Sequence, residues 1–220
     1  MQGMLFFTVV LLLSASSCSP VLKPTPTHRL QIDKRLQLAM ALPSPRWQFS
    51  TEAPTFVAKK MSDHLRQEVV AAVPNINDEQ LLLLARKRLA VNEAYVFNEH
   101  SGACLMIDFS SRRQGKTDPT LAELKGSAYG ALLALANEEG VADLESRIST
   151  SAIAGSSRAC RVEASYLLDG QARSFIGIIG FKTPYRFYLY YNEAGRDPRD
   201  RIEMEQVLKS LQLLLASQLG

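Results

Sequence analysis

The stretch Phe175-Ile176-Gly177-Ile178-Ile179-Gly180-Phe181 is apolar on both of its alternating faces, so it does not suit a sheet with one side in water. A strand of this kind has to be central, with something packed over each side. Upstream, Val162, Ala164, Tyr166 and Leu168 alternate, and Asp169-Gly170 is a residue pair that tolerates the positive φ of a two-residue hairpin. Downstream, Thr183-Pro184 interrupts the chain, after which Tyr185, Phe187, Leu189 and Tyr191 alternate with Arg186, Tyr188, Tyr190 and Asn192. A three-stranded meander is the expected result. Leu144 to Ile153 alternates more weakly, with Ala154-Gly155-Ser156-Ser157 turning into the strand that carries Cys160. Residues 94–98 and 103–110 read as a further hairpin across Asn98-Glu99-His100-Ser101-Gly102.

The cover for this sheet comes from three expected helices. Asp118-Pro119 and Asp197-Pro198 each place a capping carboxylate before a proline suited to the first helical position. The helix after Pro119 runs to about Asn137, with Leu121, Leu124, Ala128, Leu132 and Leu135 on one stripe and Gly140 as its stop. The helix after Pro198 extends to about Leu215, with Met204, Leu208, Leu211 and Leu215 at helical spacing. A third begins at Asn77 and covers about Asp78 to Val91. Leu30, Ile32, Leu36, Leu38 and Met40 suggest one or two edge strands, and Trp47 with Phe49 another, separated by Pro43 and Pro45. The expected fold class is α/β in the α+β sense: a single, mostly antiparallel sheet with helices on both faces, an α/β/α sandwich.

The order of a strand leading to Pro and Trp (Leu38 to Trp47), helix-and-strand units, a meander ending in Phe187-Tyr188-Leu189-Tyr190-Tyr191, and a terminal helix closing on Leu208-Lys209-Ser210-Leu211 resembles the Mog1/PsbP-like α/β/α sandwich over roughly residues 30 to 215. That family includes photosystem accessory subunits, a binder of a nuclear-transport factor and bacterial lipoproteins. The resemblance therefore implies an accessory or binding role rather than a chemistry, and it transfers no metal-binding or partner-binding residue.

The N-terminus carries a separate message. Residues 4 to 15, MLFFTVVLLLSA, form an apolar run of twelve, against the roughly 20 needed to span a bilayer. An apolar run of this length ending in small residues has the form of a secretory signal, read here as residues 1–17. Its end, Ala15-Ser16-Ser17-Cys18, resembles the lipobox of bacterial lipoproteins, with Ala15 where that family usually has Leu. The resemblance implies that Cys18 is acylated, with palmitate-type chains holding the protein to a membrane of the cell envelope. The protein would face the periplasm or the exterior, and Ser19 after the cysteine fits the outer membrane if the cell is Gram-negative. An ordinary secretory signal with an incidental cysteine is the alternative. Residues 18–29 hold Pro20, Pro24 and Pro26, which favour an extended spacer. The remaining 30–220 is read as a single domain.

A balance of 25 Lys and Arg against 22 Asp and Glu, net +3, lacks the concentrated positive field of a nucleic-acid binder. There is no HExxH, CxxC, GxSxG or GxxxxGK[ST], and His28, His64 and His100 share no local spacing. Neither an enzyme nor a cofactor is expected. In an oxidising compartment Cys104 and Cys160 are candidates for a disulfide, the alternative being two buried thiols. Arg112, Arg113 and Lys116 form a basic loop that either binds an anion or acidic partner or is simply solvated. Tyr188 and Tyr190 suit a protein interface or packing beneath a helix, and Val69-Val70-Ala71-Ala72-Val73 a partner-facing or buried run. The leading expectation is a lipid-anchored envelope protein with a noncatalytic domain that binds a partner protein or envelope complex. The second is a small-molecule or lipid carrier with a pocket between sheet and helix.

Overall fold

The computed structural model describes residues 27–69, 76–111, 117–193 and 197–215. In chain order the elements are β1 (His28–Gln31), β2 (Leu36–Met40), β3 (Gln48–Ser50), α1 (Thr55–Val69), α2 (Asp78–Leu89), β4 (Ala94–Asn98) and β5 (Ala103–Ser111). There follow α3 (Leu121–Ala136), β6 (Val141–Ser151), β7 (Arg158–Leu168), β8 (Gln171–Lys182), β9 (Tyr185–Glu193), α4 (Arg199–Ser210) and β10 (Gln212–Leu215). Helices and antiparallel sheet combine in an α+β fold. Signal, lipobox and the basic loop with Arg112, Arg113 and Lys116 lie outside the described residues, as do residues 70–73 of the valine-rich run.

The strands form two sheets rather than the single one expected. Seven are ordered β3-β4-β5-β9-β8-β7-β6, every neighbouring pair antiparallel, and β1, β2 and β10 form a separate three-stranded sheet. The doubly apolar strand β8 lies inside the larger sheet between β9 and β7, and Ile176 to Phe181 are all buried. Asp169 (φ 51°) and Gly170 (φ 74°) make the turn between β7 and β8, in register with Leu168 opposite Gln171. Strand β6 closes one edge; its pairing slips between Ala142 and Glu145, beside Asp143 at φ 51°.

Period-two alternation sorts each strand's side chains between two covering layers. On one face, Val96, Leu105, Ile107, Ile178, Phe187 and Leu189 pack with Met204, Val207 and Leu208 of α4 and with Leu36, Leu38 and Leu213 of the small sheet. On the other, α1 and the end of α2 bury Ala58 and Leu89 against Tyr95, Phe97 and Cys104. Farther along that same face, α3 buries Leu124, Ala128 and Leu132 against Cys160, Val162 and Ile179.

Local chemistry explains most helix ends. Asn77 caps α2 in a capping box with Gln80. For α3 the cap is Thr120, boxed with Glu123, so the helix starts two residues beyond the Asp118-Pro119 signal. Asp197 Oδ1 accepts the Arg199 backbone N–H at 2.9 Å, with Pro198 immediately ahead of α4. That last helix stops at Ser210 instead of reaching Leu215. Ser210 Oγ donates to Val207 O at 2.7 Å and accepts the Ala41 N–H at 2.9 Å, and the chain then leaves extended as β10. Leu211 and Leu213 are buried at a spacing of two, a pattern that overlaps the helical one over so short a run.

Arg46 fastens the loop before β3 to α4. Its guanidinium donates to Asp197 at 2.5 Å, Asp200 at 2.8 Å and Glu203 at 2.5 Å, while Trp47 Nε1 donates to Glu203 at 2.6 Å and Asn98 Nδ2 to Asp200 at 3.0 Å. Burial alone would raise Glu203, but the hydrogen bonds from Trp47 and Arg46 outweigh it and hold the carboxyl below its ordinary value of 4.5. A carboxylate depressed in the fold contributes stability that is complete above its unfolded pKa and is lost as pH falls through the folded one. The melting temperature is therefore expected to drop as pH is lowered below 4.5, and Glu203→Gln to flatten that slope. A slope unaltered by the substitution would show that this carboxylate is not a source of acid sensitivity.

Candidate binding cleft

Helices α1 and α3 share one face of the large sheet but cover different strands, with α1 over β4 and β5 and α3 over β7 and β8. Between them runs a strip whose outward residues Met106, Asp108, Tyr190 and Asn192 are only half-buried. At one end this strip deepens into a cleft of about 470 Å³. Its α1 wall presents Phe56, Val57, Lys60, Met61 and His64, its floor Cys104 and Met106, and its opposite wall Ala134 of α3 and Glu138 just past that helix. A second chamber of about 290 Å³ shares Phe56, Lys60, Gly102 and Asn192 with the first and adds Glu99, Arg173 and Glu193. The first chamber is predominantly apolar; the second sets Glu99, Arg173 and Glu193 beside Tyr166 and Leu168.

The wall residues follow from α1 being a helix. Phe56, Lys60 and His64 recur every fourth residue, as do Val57 and Met61, so one face looks across the strip. This helix has no counterpart in the sequence-based expectation. Its apolar residues Phe56, Val57, Ala58, Met61 and Leu65 recur at helical spacing, and that amphipathic pattern is the signal that could have found it.

Burial pushes the Cys104 thiol up to about 12, with Lys60 close enough to pull weakly the other way. The thiol is thus protonated near neutrality and behaves as a small apolar floor group, not as a nucleophile. Farther along the floor, Tyr188 and Tyr190 stack at 6.0 Å and Tyr190 and Phe175 at 5.9 Å. Burial, with Tyr188 beside it, raises the Tyr190 phenol to about 12. Tyr188 packs against the cluster beneath α3 and accepts from Arg186 at 3.3 Å, so it serves packing under a helix.

The disulfide considered between Cys104 and Cys160 does not form, and both thiols are free and buried. Strands β9 and β8 lie between their parent strands β5 and β7. Three spacings of about 4.8 Å separate them by roughly 14 Å, beyond the Cα separation of about 7 Å that a disulfide tolerates. The histidines also remain apart. His28 tilts against Phe49 at 5.7 Å in the small sheet, His64 stands at the cleft mouth, and the His100 backbone N–H donates to Asn98 in the turn between β4 and β5. Among the described residues no group of three or more His, Cys, Asp or Glu is arranged to hold a metal ion, and no helix is long and apolar enough to cross a membrane.

No family model and no curated protein sequence matches the chain. Among solved structures, it is similar to the solution structure of cyanobacterial PsbP (CyanoP) from Synechocystis sp. PCC 6803, with a TM-score of 0.50 and 12% identity. The alignment covers 91% of this chain and 99% of that one. The fold is PsbP-like. At this identity the likeness concerns the backbone, and the function of the PsbP-like body has to be argued from its own side chains.

Proposed function

We propose that the chain is a noncatalytic accessory protein of the cell envelope, tethered through an acylated Cys18, whose binding site is the cleft between α1 and α3. The observation that carries this reading is the cleft itself, an apolar recess on a rigid sheet, walled by two helices that leave the strip between them uncovered. The protonated Cys104 thiol supports a binding role over a nucleophilic one. A partner protein or envelope complex is the occupant that a tethered accessory domain implies. A small apolar ligand is the second reading, and the apolar lining of the first chamber favours it.

The tether rests on Ala15-Ser16-Ser17-Cys18 and the prolines after it. Two or three acyl chains, at about 0.8 kcal/mol per buried CH₂, anchor a protein stably, and about ten spacer residues at about 3.1 Å each reach roughly 30 Å. Cys18→Ser is expected to move the protein from the membrane fraction to the soluble one and to remove the acyl mass from the mature N-terminus. Retention of the variant in the membrane would defeat the tether.

The cleft is tested by a photo-crosslinking residue placed at Ala134 and, as reference, at Arg29 on the small sheet. Adducts formed in intact cells from residue 134 but not 29, and lost when Val57→Trp fills the cleft, are the expected outcome. Equal labelling from both positions, or labelling indifferent to the tryptophan, overturns the assignment.

A further inference from the structure

From the meeting of an apolar chamber and a charge-bearing one across Lys60, we infer that the cleft's ligand is a single-chain zwitterionic lipid of the lysophospholipid class. The acyl chain lies along Met61 and Met106, the phosphate meets Lys60, and the ammonium meets Glu99 and Glu193. This rests on the cleft being the binding site.

Volume limits the tail. At about 30 Å³ per water-sized group, the 470 Å³ of the apolar chamber holds roughly 15 heavy atoms, which matches one acyl chain. The surface of the chamber suits such a chain. Thioethers and a half-buried phenylalanine adapt to a flexible alkyl ligand, and the floor thiol is uncharged.

Charge order then sets the head group. Lys60 belongs to both chambers and makes no ion pair with any described residue, so its ammonium stands at the neck where the apolar stretch ends. An anionic group directly following the tail meets it there. Beyond the neck the second chamber brings Glu99 and Glu193 alongside Arg173, and Glu138, just past the end of α3, lines the first. Carboxylates thus outnumber Lys and Arg across the lining of the two chambers. A purely anionic amphiphile is opposed by them, whereas a head with phosphate next to the tail and ammonium beyond it matches both signs in sequence. The proposed tether would keep the cleft within reach of a phospholipid surface, a source of single-chain lipids.

The test uses the full chain carrying Cys18→Ser and calorimetric titration with three myristoyl probes below their micelle concentrations: lysophosphatidylethanolamine, lysophosphatidic acid, which lacks the ammonium, and monoacylglycerol, which lacks the phosphate. Lysophosphatidylethanolamine is expected to bind tightest. Lys60→Met, which keeps the apolar stem, should weaken it about tenfold and leave monoacylglycerol unchanged. Glu99→Gln should weaken lysophosphatidylethanolamine and not lysophosphatidic acid, and Ala134→Trp should abolish all three. Equal affinity for the three probes, or insensitivity to both charge variants, overturns the head-group assignment and with it the inference. If no probe binds while crosslinking from residue 134 persists, the inference fails and the cleft stands as a binding site; if crosslinking fails too, both fall.

Discussion

Replacing Arg46 by alanine is expected to destabilise the fold by about 3 kcal/mol, a fall of roughly 6–12 °C in melting temperature for a chain of this size. The effect comes from what the substitution strands, not from the number of bonds it removes. Asp200 is 1% exposed and its partners are Arg46 at 2.8 Å and Asn98 at 3.0 Å, so without the guanidinium a buried carboxylate keeps only an amide. Asp197 and Glu203 are about a fifth exposed and recover hydration, which limits their share. The double variant Arg46→Ala/Asp200→Asn removes the stranded charge and is expected to regain part of the loss in thermal or urea unfolding. If the single variant unfolds within about 1 kcal/mol of the parent, the buried charge is not what Arg46 neutralises. If the double variant regains nothing, the stem of Arg46 acts through packing.

Gly155→Ala should be comparably damaging, at about 3 kcal/mol, because strain and a clash coincide. The residue sits at φ +82°, and a Cβ there would stand 2.1 Å from the Leu213 carbonyl oxygen. The contact cannot relax cheaply. Leu213 N–H donates to Ala154 O at 2.8 Å, and β10 is zipped to β2 through four residue pairs from Gln212 to Leu215. The alanine is therefore expected to pry β10 from its place, with faster amide exchange at residues 212–215 than in the large sheet. Gly170→Ala isolates the strain, since Gly170 has φ +74° and nothing lies within 4 Å of where its methyl would stand; about 1 kcal/mol is expected. Equal losses at the two positions would mean that contact with Leu213 contributes nothing.

The large sheet is readable because its signals are local. Alternation in 162–168 and 185–191, the Asp169-Gly170 turn and the doubly apolar 175–181 each report on a strand within a few residues. Helices α2 and α3 are marked by Asn77 and by the leucine stripe after Pro119. The small sheet is hidden because β2 pairs with β10, far along the chain, and four residues of β10 are too few to separate period two from period 3.6. The cleft is less legible still. Its two walls, α1 and α3, are separated in the chain by α2, β4 and β5, and they face one another only because β5 pairs with β9 and leaves a strip that neither helix covers. Lys60 and His64 read as ordinary polar positions in a mixed segment until α1 sets them on one face.

The slipped pairing in β6 bears on crowding. This outermost strand is eleven residues long, with backbone groups unpaired along its free side, the kind of border that recruits a second molecule. The kink beside Asp143 and the charges of Glu145 and Arg147 make it a poor template, so copies at high concentration do not zip edge to edge into fibres.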